Sequence, residues 1–86
     1  MSNIEKLIGY TTSNHMIKHV LEVLESKGRI PEEKAGKLTR IPKPSFKKIV
    51  TELIEKGMVK VEEEEDGRYL LLTETGREVI LRLFKV

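Results

Sequence analysis

Ile41-Pro-Lys-Pro-Ser45-Phe-Lys-Lys-Ile-Val-Thr51-Glu-Leu-Ile-Glu-Lys-Gly57 is the stretch on which the fold turns. Phe46, Ile49, Val50, Leu53 and Ile54 recur at i, i+3, i+4, i+7 and i+8, the apolar stripe of a helix buried along one side. The other face carries Lys43, Ser45, Lys47, Lys48 and Thr51 in its first half, and Glu52 and Glu55 only in its second. That order opposes the helix macrodipole, which favours acids at the N-terminus and bases at the C-terminus. A local rule broken without visible compensation marks a functional surface. The plainer reading is a solvated face with a Glu52–Lys56 pair worth a few tenths of a kcal/mol. The rest of the chain decides between them.

Working outward, Pro42 and Pro44 stop any preceding helix from running into this one. Upstream, Pro31 is expected to start a short helix with Glu32 and Glu33 in its first turn, where the dipole favours them. Ala35 and Leu38 are its expected inward residues, and Ile41 the buried anchor of the turn from Thr39 to Pro42. Further upstream, Met16, Ile17, Val20, Leu21, Val23 and Leu24 form a broad apolar stripe, with Ser13 or Asn14 as N-cap and Gly28 as C-cap. Ile4, Leu7 and Ile8 predict a first helix ending near Gly9, with a loop from Tyr10 to Asn14. Ile30, between breakers, is expected as a one-residue strand.

Downstream of Gly57 the period changes from 3.6 to 2. Val59 and Val61 alternate with Lys60 and Glu62, Asp66-Gly67 signals a hairpin turn, and Arg68 to Leu72 returns. Thr73 is placed to cap a last helix whose apolar residues are Val79, Ile80, Leu83 and Phe84.

Two strings carry a family resemblance. Ile49-Val-Thr-Glu-Leu-Ile-Glu-Lys-Gly57-Met-Val59 is similar to the end of a recognition helix running into a first wing strand. Leu72-Thr73-Glu-Thr-Gly76-Arg-Glu is similar to the Leu-Thr-x-x-Gly step that leaves the wing in MarR-type and related small regulators. Over roughly Asn14 to Val86 the chain resembles a winged helix-turn-helix. The expected class is mainly α with a small β-hairpin (α+β), as a single domain over 1–86. The helix-turn-helix covers about 31–57, the wing about 58–73 and the C-terminal helix about 74–85.

The resemblance implies a helix that enters the DNA major groove and a wing that flanks the backbone or minor groove. Carried onto this sequence, Ser45, Lys48 and Thr51 are expected to read bases, with Lys47 beside them, and Lys34, Lys37, Arg40 and Lys43 to hold phosphates. Arg68, just past the wing tip, is expected in a narrow minor groove. It further implies that the terminal helices pair two copies through Ile4, Leu7, Ile8, Leu81, Leu83 and Phe84. The alternative is that these residues close a small core.

Composition bears on partners. The net charge is only +2, but Lys27 to Lys48 holds eight basic residues against two acidic, a segment of +6 that leaves −4 for the remainder. A basic patch on an otherwise acidic domain is the footprint of a phosphate-binding surface. Against this stands Glu62-Glu-Glu-Glu-Asp66 in the wing. These acids imply a wing tilted from DNA, a contact with a protein partner, or a solvated edge strand.

Other classes are excluded or set aside. At 86 residues a lone core buries about 60–65% of the unfolded surface, and dimerisation is one remedy for so marginal a fold. There is no Cys, so no disulfide, thiolate metal site or Cys nucleophile. No apolar run approaches the ~18–20 residues of a membrane span, and a soluble, cytoplasmic protein is expected. His15 and His19 stand at i, i+4 with no third ligand, and there is no Gly-rich phosphate loop; no metal, cofactor or enzymatic activity is expected. Tyr10, Phe46, Tyr69 and Phe84 are scattered, as core residues are, and form no base-stacking platform. The reading is a homodimeric, sequence-specific double-stranded-DNA-binding transcriptional regulator. Its small size points to a repressor. The alternative is a winged helix used for protein contacts in a transcription or replication assembly.

Overall fold

The structure, a computed structural model, describes residues 3–84. Five helices and three short strands follow one another as α1 (Asn3–Thr12), α2 (His15–Lys27), β1 (Ile30–Pro31), α3 (Glu32–Thr39), α4 (Lys43–Glu55), β2 (Val59–Glu64), β3 (Gly67–Leu72) and α5 (Glu74–Phe84). The last helix was expected to reach residue 85, which lies outside the described residues.

The strands form one antiparallel sheet in the order β1-β3-β2. Leu70 lies opposite both Ile30 and Val61, and Leu72 opposite Val59. Side chains alternate across a strand, so Ile30, Val59, Leu70 and Leu72 face the core together. Val20, Leu21 and Leu24 of α2, Leu53 of α4 and Val79 of α5 meet them there, almost wholly buried. The isolated Ile30 is thus the start of a two-residue strand that makes the hairpin a three-stranded sheet.

Helix α1 runs through Gly9 to Thr12 rather than ending there. Leu7 and Thr11, at i, i+4, are both buried, and the Thr11 hydroxyl donates to the Leu7 carbonyl at 2.8 Å. Tertiary packing outweighs the weak local preference of one glycine. Asn14 caps α2, accepting from the Met16 N–H at 2.9 Å, and the Gly28 N–H closes it on Leu24 at 2.8 Å. Pro31 flanks α3 as its N-cap instead of beginning it. The inward pair on α3 is Ala35 and Thr39; Leu38 is 42% exposed, against expectation. Thr39 can be buried because its hydroxyl donates to the Gly36 carbonyl at 3.0 Å.

The hairpin turns on Glu65 and Asp66, one residue earlier than Asp66-Gly67 suggested, and Glu64 pairs with Gly67. A type I′ turn needs positive φ at both central residues. Here Gly67 alone of the turn residues has it, at 136°.

The Leu-Thr-x-x-Gly step has a mechanical meaning. Thr73 donates its N–H to the Met58 carbonyl at 3.0 Å and its hydroxyl to the Gly57 carbonyl at 2.6 Å, and accepts from the Gly76 N–H at 3.0 Å. One residue therefore caps α5 and ties it to the junction of α4 and the wing. Gly76 sits so close to that junction that a Cβ would fall 2.2 Å from the Met58 carbonyl oxygen.

Two glycine substitutions should accordingly move stability in opposite directions. Gly76→Ala should destabilise by more than ~2 kcal/mol, because backbone must shift to admit the methyl. Gly9→Ala, within α1 and with open space around it, should stabilise by about 0.5–1 kcal/mol. Thermal melts of both variants against the parent check this.

Candidate nucleic-acid interface

Helix α4 is docked by Phe46, Ile49, Val50 and Leu53, all buried. That stripe turns Lys43, Lys47 and Thr51, at i, i+4 and i+8, toward the wing, and all three line a groove of about 1000 Å³ between α3, α4 and the hairpin. Lys37 and Arg40 of α3 and Arg68 of the wing line it too. The groove thus brings together six of the nine residues expected to contact DNA.

The other three lie outside it. Lys34 and Lys48 are exposed beyond the groove. Ser45 is half-buried on the flank of α4 that it shares with Glu52, seven residues on. Glu52 accepts a 2.6 Å hydrogen bond from the Tyr10 hydroxyl, so α4 meets α1 at Glu52. The Lys56 ammonium lies 4.5 Å from the Tyr10 ring centre. In place of a simple Glu52–Lys56 pair, both side chains hold one tyrosine. Burial, reinforced by the bond to Glu52, raises the Tyr10 phenol above its ordinary range.

No described lysine forms an ion pair, and neither does Arg40 or Arg77. Among the described residues, Lys34, Lys37, Arg40, Lys43, Lys47 and Lys48 make no ion pair, whereas Arg29, Arg68 and Arg82 are paired with carboxylates. The turn between α3 and α4 is set for exposure as well. Arg40 ends α3 with φ 60° and ψ 22°, the left-handed conformation. It is the only described non-glycine residue with positive φ, in a region that costs a side-chain-bearing residue roughly 1–2 kcal/mol. Buried Ile41 anchors the turn, and the Pro42 carbonyl accepts the Phe46 N–H at 2.9 Å to begin α4. No side chain caps this helix and no acid occupies its first turn.

The wing acids are partly neutralised by a residue that sequence reasoning did not connect with them. Arg29, just before β1, donates from Nε to Glu62 at 2.7 Å and from Nη2 to Glu64 at 2.8 Å. Its guanidinium lies 4.0 Å from the Tyr69 ring centre, and the Tyr69 hydroxyl donates to Asp66 at 2.7 Å. The pairing crosses β3 on the outer face of the sheet, opposite the core. No local spacing signals it, because the partners are 33 and 35 residues apart. Glu32, Glu33, Asp66 and Tyr69, also unanticipated, complete the groove.

At the far side, Leu81 and Phe84 of α5 are 57% and 50% exposed. Ile4, Ile8 and Leu83 are partly buried against the core, while Leu7 belongs to the core of this chain. Of the six residues expected at a dimer interface, Leu7 has its partner within the monomer.

The left-handed Arg40 yields a test that separates strain from function. Arg40→Gly should leave thermal stability unchanged or raise it by up to ~1 kcal/mol, since relief of strain outweighs the entropy of glycine. The same variant should weaken duplex binding several-fold. Melting and binding measured on one preparation check the two signs.

No protein-family model matches the sequence, and no curated protein is detectably similar to it. Solved structures do match. A MarR-family transcriptional regulator from Silicibacter pomeroyi superposes with a TM-score of 0.79 at 21% identity, covering 96% of this chain and 57% of that one. A structure of MarR gives 0.79 at 20% identity, over 95% and 62% of the two chains. The oxidized form of MarR from E. coli gives 0.75 at 20%, over 83% and 52%. The chain spans between 52% and 62% of the length of these three proteins. With α3 and α4 as the helix pair and β2 and β3 as the wing, this chain has the winged helix-turn-helix fold that those regulators share.

Proposed function

We propose that this protein is a transcription regulator that binds double-stranded DNA in a sequence-specific manner, with α4 in the major groove and the wing beside it. The observation that carries this reading is the set of unpaired cations on α3 and α4. Lys34, Lys37, Arg40, Lys43, Lys47 and Lys48 stand together on two neighbouring helices without a carboxylate, whereas the other described bases that lack one, Lys6, Lys18, Lys27, Lys56, Lys60 and Arg77, are spread over the rest of the chain. Such a surface releases counterions from a phosphate backbone on binding. The uncapped, acid-free N-terminus of α4 adds N–H groups and dipole of the same sign.

Within this reading Lys34, Lys37, Arg40 and Lys43 hold phosphates, and Lys47, Lys48 and Thr51 read base edges. Ser45, half-buried and outside the groove, is the weakest of the expected readers. Exposed Leu81 and Phe84, with Ile4, Ile8 and Leu83 beside them, pair two copies through α1 and α5. A two-fold dimer sets two α4 helices about one DNA turn apart and selects a pseudo-palindromic site. Such a dimer on a promoter represses by occlusion. The fold shared with MarR-family regulators supports the same direction. The alternative, a protein contact through the acidic wing, loses Glu62 and Glu64 to Arg29.

Alanine variants test the assignment. Lys47→Ala should weaken binding to a selected site by ~1–3 kcal/mol and relax preference at one base position. Lys37→Ala should weaken all duplexes alike and reduce the salt slope by about 1. Competition anisotropy separates the two, and parental affinity in both variants would remove this face as the DNA surface. Sedimentation equilibrium should show a dimer for the parent and a shift toward monomer for the double variant Leu81→Lys, Phe84→Lys.

A further inference from the structure

Arg68 differs from every other cation of the groove in being docked before any ligand arrives. It points to the inner face of the sheet, which it shares with Leu70 and Leu72 at i+2 and i+4. Its Nε lies 3.0 Å from Oε1 of Glu32, the first residue of α3. The contact bridges wing and helix pair, and both residues line the groove. Glu32 is the more enclosed partner, 21% exposed against 48% for Arg68. The pair is a charge contact and not an aligned hydrogen bond, so the N–H groups of the guanidinium stay available to a second acceptor. Fixing a rotamer-rich side chain in advance removes an entropy cost from the later binding step.

We infer that Glu32 is a positioning residue for DNA recognition. It holds Arg68 across the groove so that the guanidinium meets the minor groove next to the major groove occupied by α4. The inference rests on the duplex-binding reading above. It assigns to an acid in the binding groove a role opposite to its charge, since a carboxylate facing a polyanion otherwise only repels it. It also gives Glu32 a part in sequence preference. A narrow A·T minor groove concentrates negative potential and favours an inserted Arg, so an arginine fixed in place discriminates A-tract flanks from G·C flanks.

The test uses the full chain and two duplexes carrying a site recovered by selection from a random library, one flanked by A-tracts and one by G·C steps. Glu32→Gln should weaken binding to the A-tract duplex by ~3–10-fold and bring the two affinities toward equality. In an Arg68→Ala background the same substitution should change either affinity by less than ~2-fold, because the residue it positions is gone. Glu33→Gln, in the same groove but without the ion pair, should tighten binding slightly through charge alone. The ratio of the two affinities is read on one preparation, so it does not depend on the fraction folded. Tighter binding by Glu32→Gln, or equal weakening with and without Arg68, overturns the inference while leaving duplex binding intact. Failure of the parent to bind any duplex overturns the functional reading, and this inference with it.

Discussion

The carbonyls of Gly57 and Met58 lie where α4 ends and the wing begins, and Thr73 takes both of them. The same threonine caps α5, and Gly76 brings that helix against the Met58 carbonyl. The angle between α4 and the hairpin is therefore fixed at their common base. A groove between helix and wing has a defined width only if that angle is held. The apolar layer beneath it, Leu53, Met58, Leu72 and Val79, is buried and anchors the joint to the core, while the Thr73–Gly57 hydrogen bond itself is exposed.

Above this rigid base the surface is arranged against local stability. The cations of α4 stand at the wrong end of its dipole, Arg40 occupies a conformation that side chains avoid, and six neighbouring bases lack carboxylate partners. Each is a small loss, of order a few tenths to ~1–2 kcal/mol. Elsewhere the chain follows the ordinary rules: Asn14 caps α2, Glu32 and Glu33 begin α3, and Arg29 neutralises two wing acids. Among the described residues Lys6, Lys27, Lys60 and Arg77 also lack carboxylate partners, but they are dispersed, whereas the six on α3 and α4 stand together as a polyanion-binding surface requires. A single cation out of place would carry no such meaning.

Much of this was legible in the sequence because the signals were local. The 3.6-residue stripe of α4, the change to a two-residue period at Val59, the cap at Asn14 and the paired prolines each lie within a few residues, and each placed its element correctly. The misreadings arose where tertiary contacts outweighed local preference. Gly9 looked like a terminator, but burial of Leu7 and Thr11 carries α1 past it. Leu38 looked inward, but the residues that α3 buries are the smaller Ala35 and Thr39. The site was legible as a set of bases but not as a geometry. The bond from Tyr10 to Glu52 spans 42 residues, and the links of Arg29 to Glu62 and of Glu32 to Arg68 are likewise non-local. Periodicity gives the face on which a residue lies; only packing gives what that face meets.

The central claim is that the unpaired bases of α3 and α4 form a duplex-binding surface. The salt dependence of parent protein binding to a mixed-sequence duplex, read by fluorescence anisotropy, tests it most directly. With four to six phosphates neutralised, log K should fall linearly with log salt at a slope between about −3.5 and −5.5. Absence of binding at ~50 mM salt, or an affinity that does not change between ~50 and 200 mM, would contradict the claim.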